Sequence, residues 1–366
     1  IPSEKAGLWS SVDNMHAFGY ARNAWSPAYT DSVCVDTENS AVGIALKHYS
    51  SENNRFYLFN IPCELDEPGE YYIDAAADKL YYWPVEGFEN AKISLSNLRG
   101  WFIDIDSCDY ISFDGLTIEN LRFGAIHGTG SDITINGCIL RCMSNNAIEL
   151  VGNRHTISNN ELAHLGFYGM LIDGGDTNTY GSACSVIVNN KVHDIAEVYR
   201  SSTRCIAVNG SGFYIAHNEL YNSPHEAIKV IASNSMVEYN EIYNVCSEVS
   251  DSGAIYSNGS YSIGATVYRY NYIHDINGAG VYLDDCDAGD YVISNRIVNV
   301  SNDFPKAFFA IAPLSLFTQL TKTRRFFGPL LRSSMMWRGQ ALAQAPQATH
   351  FSSSTSGSPV SGLIRI

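Results

Sequence analysis

No run of apolar residues in this 366-residue chain is long enough to cross a bilayer, so no membrane span is expected. Basic residues are also scarce. Lys and Arg total 23 against 38 Asp and Glu, a formal charge of −15, which disfavours phosphate backbones and makes nucleic acid a poor partner. The nine cysteines include no C-x-x-C pair and no zinc-like spacing, so a structural metal is not expected. They stand beside small or apolar strand residues and read as buried thiols, with room for one or two disulfides. The chain begins at Ile1 rather than Met, so any signal peptide lies outside it. What is present, 45% hydrophobic and 17% charged residues, suits a soluble protein with a large core. Aromatics reach 12%, led by 23 Tyr, a residue that suits both β-strands and the faces of sugars.

An internal repeat sets the architecture. The pattern apolar-x-x-Asn-x-apolar recurs as Ile157–Asn160–Leu162, Ile187–Asn190–Val192, Ile215–Asn218–Leu220, Val237–Asn240–Ile242, Tyr268–Asn271–Ile273 and Val292–Asn295–Ile297. Its asparagines fall 22 to 31 residues apart. In the shorter coils a further strand follows eight residues after the last apolar position, at Met170, Ile228 and Val281. Each coil reads as strand, turn, strand, loop. Such a unit buries its apolar stripe only against its neighbours, at a strand spacing of about 4.8 Å. The expected fold is all-β, a right-handed parallel β-helix over residues 110–302, with each Asn amide bonding the coils on either side. The second residue after each apolar position, His164, Asp194, Asn222, Asn244, Asp275 and Asn299, is polar in every coil. His274 and Asp275 therefore read as turn residues rather than a catalytic pair. A sandwich would not keep one Asn column over six units.

Residues 1–109 lack the repeat and read as a β-rich N-terminal module, with strands at Arg55–Asn60, Glu70–Asp74 and Lys79–Trp83. After Asp303 the chain changes character: 63 residues hold no Asp or Glu and seven Lys or Arg. Residues 303–366 read as a displaced reading frame or misread splice, or else as a basic, Ser-rich, disordered tail, with Phe308–Phe317 as a helix that Pro313 would interrupt.

Strand side chains alternate in and out, so outward residues of successive coils line a groove suited to a polymer. With Ile148, Met170, Ile206, Ile228, Ile255 and Val281 inward, the next position places Glu149, Leu171, Ala207, Lys229, Tyr256 and Tyr282 outward. Two positions on come Val151, Asp173, Asn209, Ile231, Asn258 and Asp284. Around the later coils lie His225, Glu226, Glu248, Asp251 and the Asp284–Asp285 pair. Closely packed carboxylates push their pKa values apart, as glycoside cleavage requires of an acid and its partner. Acidic residues at turns equally suit backbone amides or calcium.

The runs Glu64–Asp74 and Lys79–Pro84, followed by Gly174–Asp176, Ser223–Ile228, Glu238–Ile242, Asp251–Tyr256, Arg269–Asp275 and Val281–Asp285, carry a resemblance. Over roughly residues 8 to 302 the chain resembles glycoside hydrolase family 141 and related carbohydrate-active β-helix proteins. That resemblance implies fucosidase- or xylanase-type activity and two catalytic aspartates. By motif they are Asp251 and Asp284, with Asp285 as the substitute for Asp284, while His225 and Glu248 would orient substrate or tune an aspartate. The family's Gly-Arg-Asp-Trp is replaced here by Asn258-Gly-Ser-Tyr261, its Tyr and Pro after Arg200 by Ser202 and Arg204 or Cys205, and its usual start lies upstream of Ile1.

The leading functional expectation is hydrolysis of a polysaccharide by Asp251 and Asp284, supported by Asp285, His225, Glu248, Lys229, Tyr256, Tyr282 and Asp173. A lyase or epimerase acting on a uronate polymer, with Lys229 as the outward base, is the second. A glycan-binding or structural β-helix is the third. No cofactor or metal is expected; calcium is the only candidate and no motif calls for it. The partner is a polysaccharide or oligosaccharide, the state a monomer and the location extracellular. Of the three sequons, at Asn209, Asn258 and Asn299, the first two would stay unmodified if the groove works, since a glycan at either would crowd it.

Overall fold

The computed structural model describes residues 1–20, 25–45, 55–249, 251–258, 263–284, 287 and 289–300. The tail 303–366, the Phe308–Phe317 run, Asp285 and Cys286 lie outside the described residues. Two compact units divide at Ser94 and Leu95.

In the first unit a short helix, Ser3–Trp9, precedes an antiparallel sheet in the order Pro27–Thr30, His16–Tyr20, Arg55–Phe59. Two hairpins complete it, Val33–Asp36 with Ala41–Ile44 and Tyr71–Asp74 with Lys79–Tyr82. The strands expected at 55–60, 70–74 and 79–83 fall within a residue of these. Trp9, Met15 and Ile61 form its small buried cluster.

The second unit contains three eight-stranded parallel sheets. One comprises Ile103–Ile105, Ile126–Thr129, Ile148–Val151, Met170–Gly174, Arg204–Ser211, Glu226–Ser233, Gly253–Asn258 and Ala279–Asp284, each paired with the next. A second runs from Ser112–Asp114 to Tyr291–Ile293, and a third from Thr117–Leu121 to Arg296–Val300. Successive strands visit the three sheets in turn, which is a right-handed parallel β-helix. The stack starts before residue 110, because Ile103–Ile105 already pairs with Ile126–Gly128. Each coil also carries three strands rather than two. Thr156–Ser158 and Glu161–Leu165 are separate strands on different sheets, and Asn160 sits in the bend between them.

Inward positions follow the expected register. Ile126, Ile148, Met170, Ile206, Ile228, Ile255 and Val281 stack strand on strand and are fully buried. Each contributes roughly 1.5–3 kcal/mol of burial. The Asn column is continuous. Asn160, Asn190, Asn218 and Asn240 each donate Nδ2 to the Oδ1 of the next Asn at 2.9–3.0 Å and to a backbone carbonyl of the preceding coil. The polar positions after it, His164, Asp194, Asn222, Asn244, Asp275 and Asn299, all have φ between 50° and 54°. His274 bonds Asp275 at 2.7 Å within that bend, where an Asn or Asp adopts the left-handed conformation at low cost.

No disulfide occurs among the described residues. Cys138, Cys205 and Cys246 are buried, whereas Cys34, Cys63, Cys108, Cys142 and Cys184 are exposed, so the buried-thiol expectation holds at three positions only. Of the exposed cysteines, Cys34 and Cys142 lie within the strands Val33–Asp36 and Ile139–Met143, and Cys63, Cys108 and Cys184 lie outside strands.

Candidate functional site

The first sheet's outer face carries both rows read from the sequence. His127, Glu149, Leu171, Ala207, Lys229, Tyr256 and Tyr282 stand in register in one row. The second contains Val151, Asp173, Asn209 and Ile231, then Asn258 beside Asp284.

Five of the predicted site residues come together around the last three strands of this sheet. Tyr256 donates its hydroxyl to Asp284 Oδ2 at 3.0 Å, and Tyr282 donates to Asp251 Oδ1 at 3.2 Å. The bonds cross: each tyrosine reaches the aspartate of the neighbouring coil. Burial, then the charges and hydrogen bonding of Asp251 and Asp284, raise the Tyr282 phenol well above its ordinary range. The Tyr282 phenol thus lies in the field of both carboxylates. The two rings meet edge to face at 5.4 Å, and the Lys229 ammonium lies 5.2 Å from the Tyr256 ring centre. Tyr256 is 9% exposed and Tyr282 2%, so their faces are not stacking platforms; their chemistry is in the hydroxyls.

The remaining candidates among the described residues fall into three further groups. Arg200 donates Nε to Glu248 Oε1 at 3.1 Å, tying the loop before one strand of the sheet to the loop two coils on. His225 is 4% exposed, with Nε2 3.7 Å from Glu226 Oε1. Burial above all lowers its pKa to about 4, keeping the ring neutral. Glu226 in turn accepts from Arg204 Nε at 2.5 Å, and Arg204 Nη1 donates to the Tyr168 hydroxyl at 3.1 Å. Arg204 and Tyr168 were not singled out from the sequence. Their signal was the Arg–Glu register at a spacing of 22, one coil. Asp173 accepts from Asn209 Nδ2 at 2.5 Å and lies four strands, about 19 Å, from Asp284, so it cannot pair with it. Among the described residues no group of three or more His, Cys, Asp or Glu is arranged to hold a metal, and no helix is long and apolar enough to cross a membrane.

Stacked sheets of this kind, with side chains projecting in rows, define the class: a right-handed parallel β-helix. The family described as "Right handed beta helix region" matches residues 146–309. A solved structure titled "Glycoside hydrolase" shares the fold at a TM-score of 0.55 and 12% identity, over 80% of this chain and 69% of that one. No curated protein matches the chain.

Proposed function

We propose that the chain is a carbohydrate-active β-helix protein that hydrolyses glycosidic bonds in a polysaccharide, with Asp251 and Asp284 as its carboxylate pair. The observation that carries this reading is the crossed Tyr–Asp cluster, in which carboxylates from adjacent coils each accept the hydroxyl of a tyrosine on the neighbouring coil and the two rings meet edge to face. Glycosidases of both stereochemical outcomes hold their carboxyls about 5 to 9.5 Å apart, so the separation of Asp251 and Asp284 would set the outcome here. One aspartate would protonate the leaving oxygen while the other acts on water or on the sugar. Tyr256 and Tyr282 would fix both carboxylates. The motif resemblance to glycoside hydrolase family 141 and the glycoside hydrolase likeness of the fold point to the same substrate class. An extracellular location and a monomeric state complete the proposal.

The test is sugar release from fucosylated and xylan-type polysaccharides by the chain, by Asp251→Asn and by Asp284→Asn. Each substitution is expected to lower release at least about 100-fold. Undiminished release by both variants would remove the pair from the mechanism. Lys229 beside Tyr256 favours a second reading, abstraction of the C5 proton of a uronate. An ultraviolet-absorbing unsaturated product would establish that instead, and binding without any product would mark a glycan-binding role.

A further inference from the structure

We infer that Trp101 and His127 form a remote sugar-binding platform on the first coils of the β-helix, gripping a glycan chain whose other end reaches Asp251 and Asp284. The inference rests on the polysaccharide reading of that acid pair. Trp101 precedes the strand Ile103–Ile105, and its indole lies over the next coil. Gly124 makes room for it: a Cβ there would stand 2.2 Å from Cζ3 and 2.6 Å from Cε3 of the ring. The indole stacks on His127 at a centroid distance of 5.3 Å and meets Phe123 edge-on, also at 5.3 Å. His127 is itself fixed, with Nδ1 2.6 Å from Asp104 Oδ1.

Gly124, His127 and Phe123 thus hold one large ring at a set angle, so a ligand need not order it on arrival. Trp101 and His127 nonetheless stay only half-buried. A carboxylate can only accept, so Asp104 takes the Nδ1 proton and leaves His127 Nε2 as an acceptor. Among the described residues no hydrogen bond takes up that Nε2 or the indole N–H. A flat apolar ring with an unused donor on its edge and an unused acceptor beside it matches a pyranose. The sugar's C–H face covers the ring while its rim hydroxyls both donate and accept. His127 stands in the same outward row as Tyr256 and Tyr282, five and six strands away, roughly 24 and 29 Å. Those two tyrosines are buried and present hydroxyls rather than faces, so stacking falls to the far end of the row. A chain of several sugars laid across the strands would meet both ends at once.

The intact chain would be run in affinity gels containing xylan-type or fucosylated polysaccharide, beside Trp101→Leu, which keeps an apolar cover on the coil but removes the flat ring and its N–H. Retardation of Trp101→Leu is expected to fall about tenfold, and Trp101→Tyr, which keeps a flat ring, should stay within about threefold of the parent. Unchanged retardation of Trp101→Leu would overturn the inference, whatever its melting temperature, and leave the polysaccharide reading standing with Trp101 as a cover for the first coil. A parent retarded by no gel would overturn the inference and the polysaccharide reading together. His127→Phe leaves the indole a ring to stack on and removes the acceptor, so it reads the same site should Trp101→Leu not fold. It should lower retardation about threefold, and an unchanged value would overturn the platform.

Discussion

Asp290 shows how far one side chain can be driven by its surroundings. It is 5% exposed, accepts the Thr266 N–H at 2.8 Å, and sits with Asp287 and the buried Tyr268. Burial first and the Asp287 charge second push its carboxyl up to about 8. An acid whose folded pKa is raised favours the folded state below its ordinary value, and that stabilisation is lost as pH rises toward 8. Asp290→Asn keeps the carbonyl acceptor and removes the charge. It should raise the melting temperature at pH 8.5 by an amount equivalent to about 1–3 kcal/mol, with little gain at pH 4. Equal shifts in melts at both pH values would rule out titration as the cause. His155 works in the opposite direction. Burial lowers its pKa to about 4, and both ring nitrogens lack a hydrogen-bond partner. The unfolded chain takes up a proton that the folded chain refuses, so stability falls as pH drops from about 6.5 to 4. The stability of His155→Phe relative to the parent should therefore improve as pH falls through that window, which urea titrations at pH 7 and 4.5 would read.

At the scale of the repeating element, two columns limit what each coil can contain. Asn218 gives two donors to Asn240 and one to the Ile187 carbonyl, and its Oδ1 accepts two bonds from Asn190. Asn218→Ala leaves several buried groups unpaired and should cost about 2–4 kcal/mol. Asn295→Ala, which removes one such donor and one acceptor, should cost less; chemical denaturation of both variants decides the order. The second column is glycine. Gly152, Gly174 and Gly210 lie at strand ends, and a Cβ on Gly210 would stand 1.7 Å from the Gly174 carbonyl oxygen at a φ of 123°. Gly210→Ala should destabilise by more than about 3 kcal/mol or prevent folding, detectable as loss of soluble protein or of its melting transition. The asparagine column was legible in the sequence because no other side chain supplies both donor and acceptor at that bend. The earlier coils were not, because Leu116 and Cys138 occupy the Asn position there and erase the repeat. The strand at Thr156–Ser158 was merged with its neighbour for a related reason: two residues of bend leave the apolar rhythm nearly unbroken.

Over the whole β-helix, legibility follows register. Rows such as Lys229–Tyr256–Tyr282 could be read because strand alternation is fixed by the core. The crossed bonds between Tyr256, Asp284, Tyr282 and Asp251 could not, since they depend on side-chain reach across coils rather than on spacing along one. Register also governs how the fold should fail. Each coil packs on its two neighbours, so stability adds coil by coil and a weak link acts locally. With Asn218→Ala, amide exchange should quicken first in Phe213–Ala216 and Glu219–Ser223 and in the strands that pair with them, Ser185–Val188, Lys191–His193, Met236–Glu238 and Glu241–Val245. Strands as distant as Ile126–Thr129 should keep their protection, because no bond of the damaged ladder reaches them. Exchange measured by mass spectrometry over peptides from every coil distinguishes this from a single cooperative unit. If protection falls equally in all of them, the stack unfolds as one body and the coil is not its unit of stability.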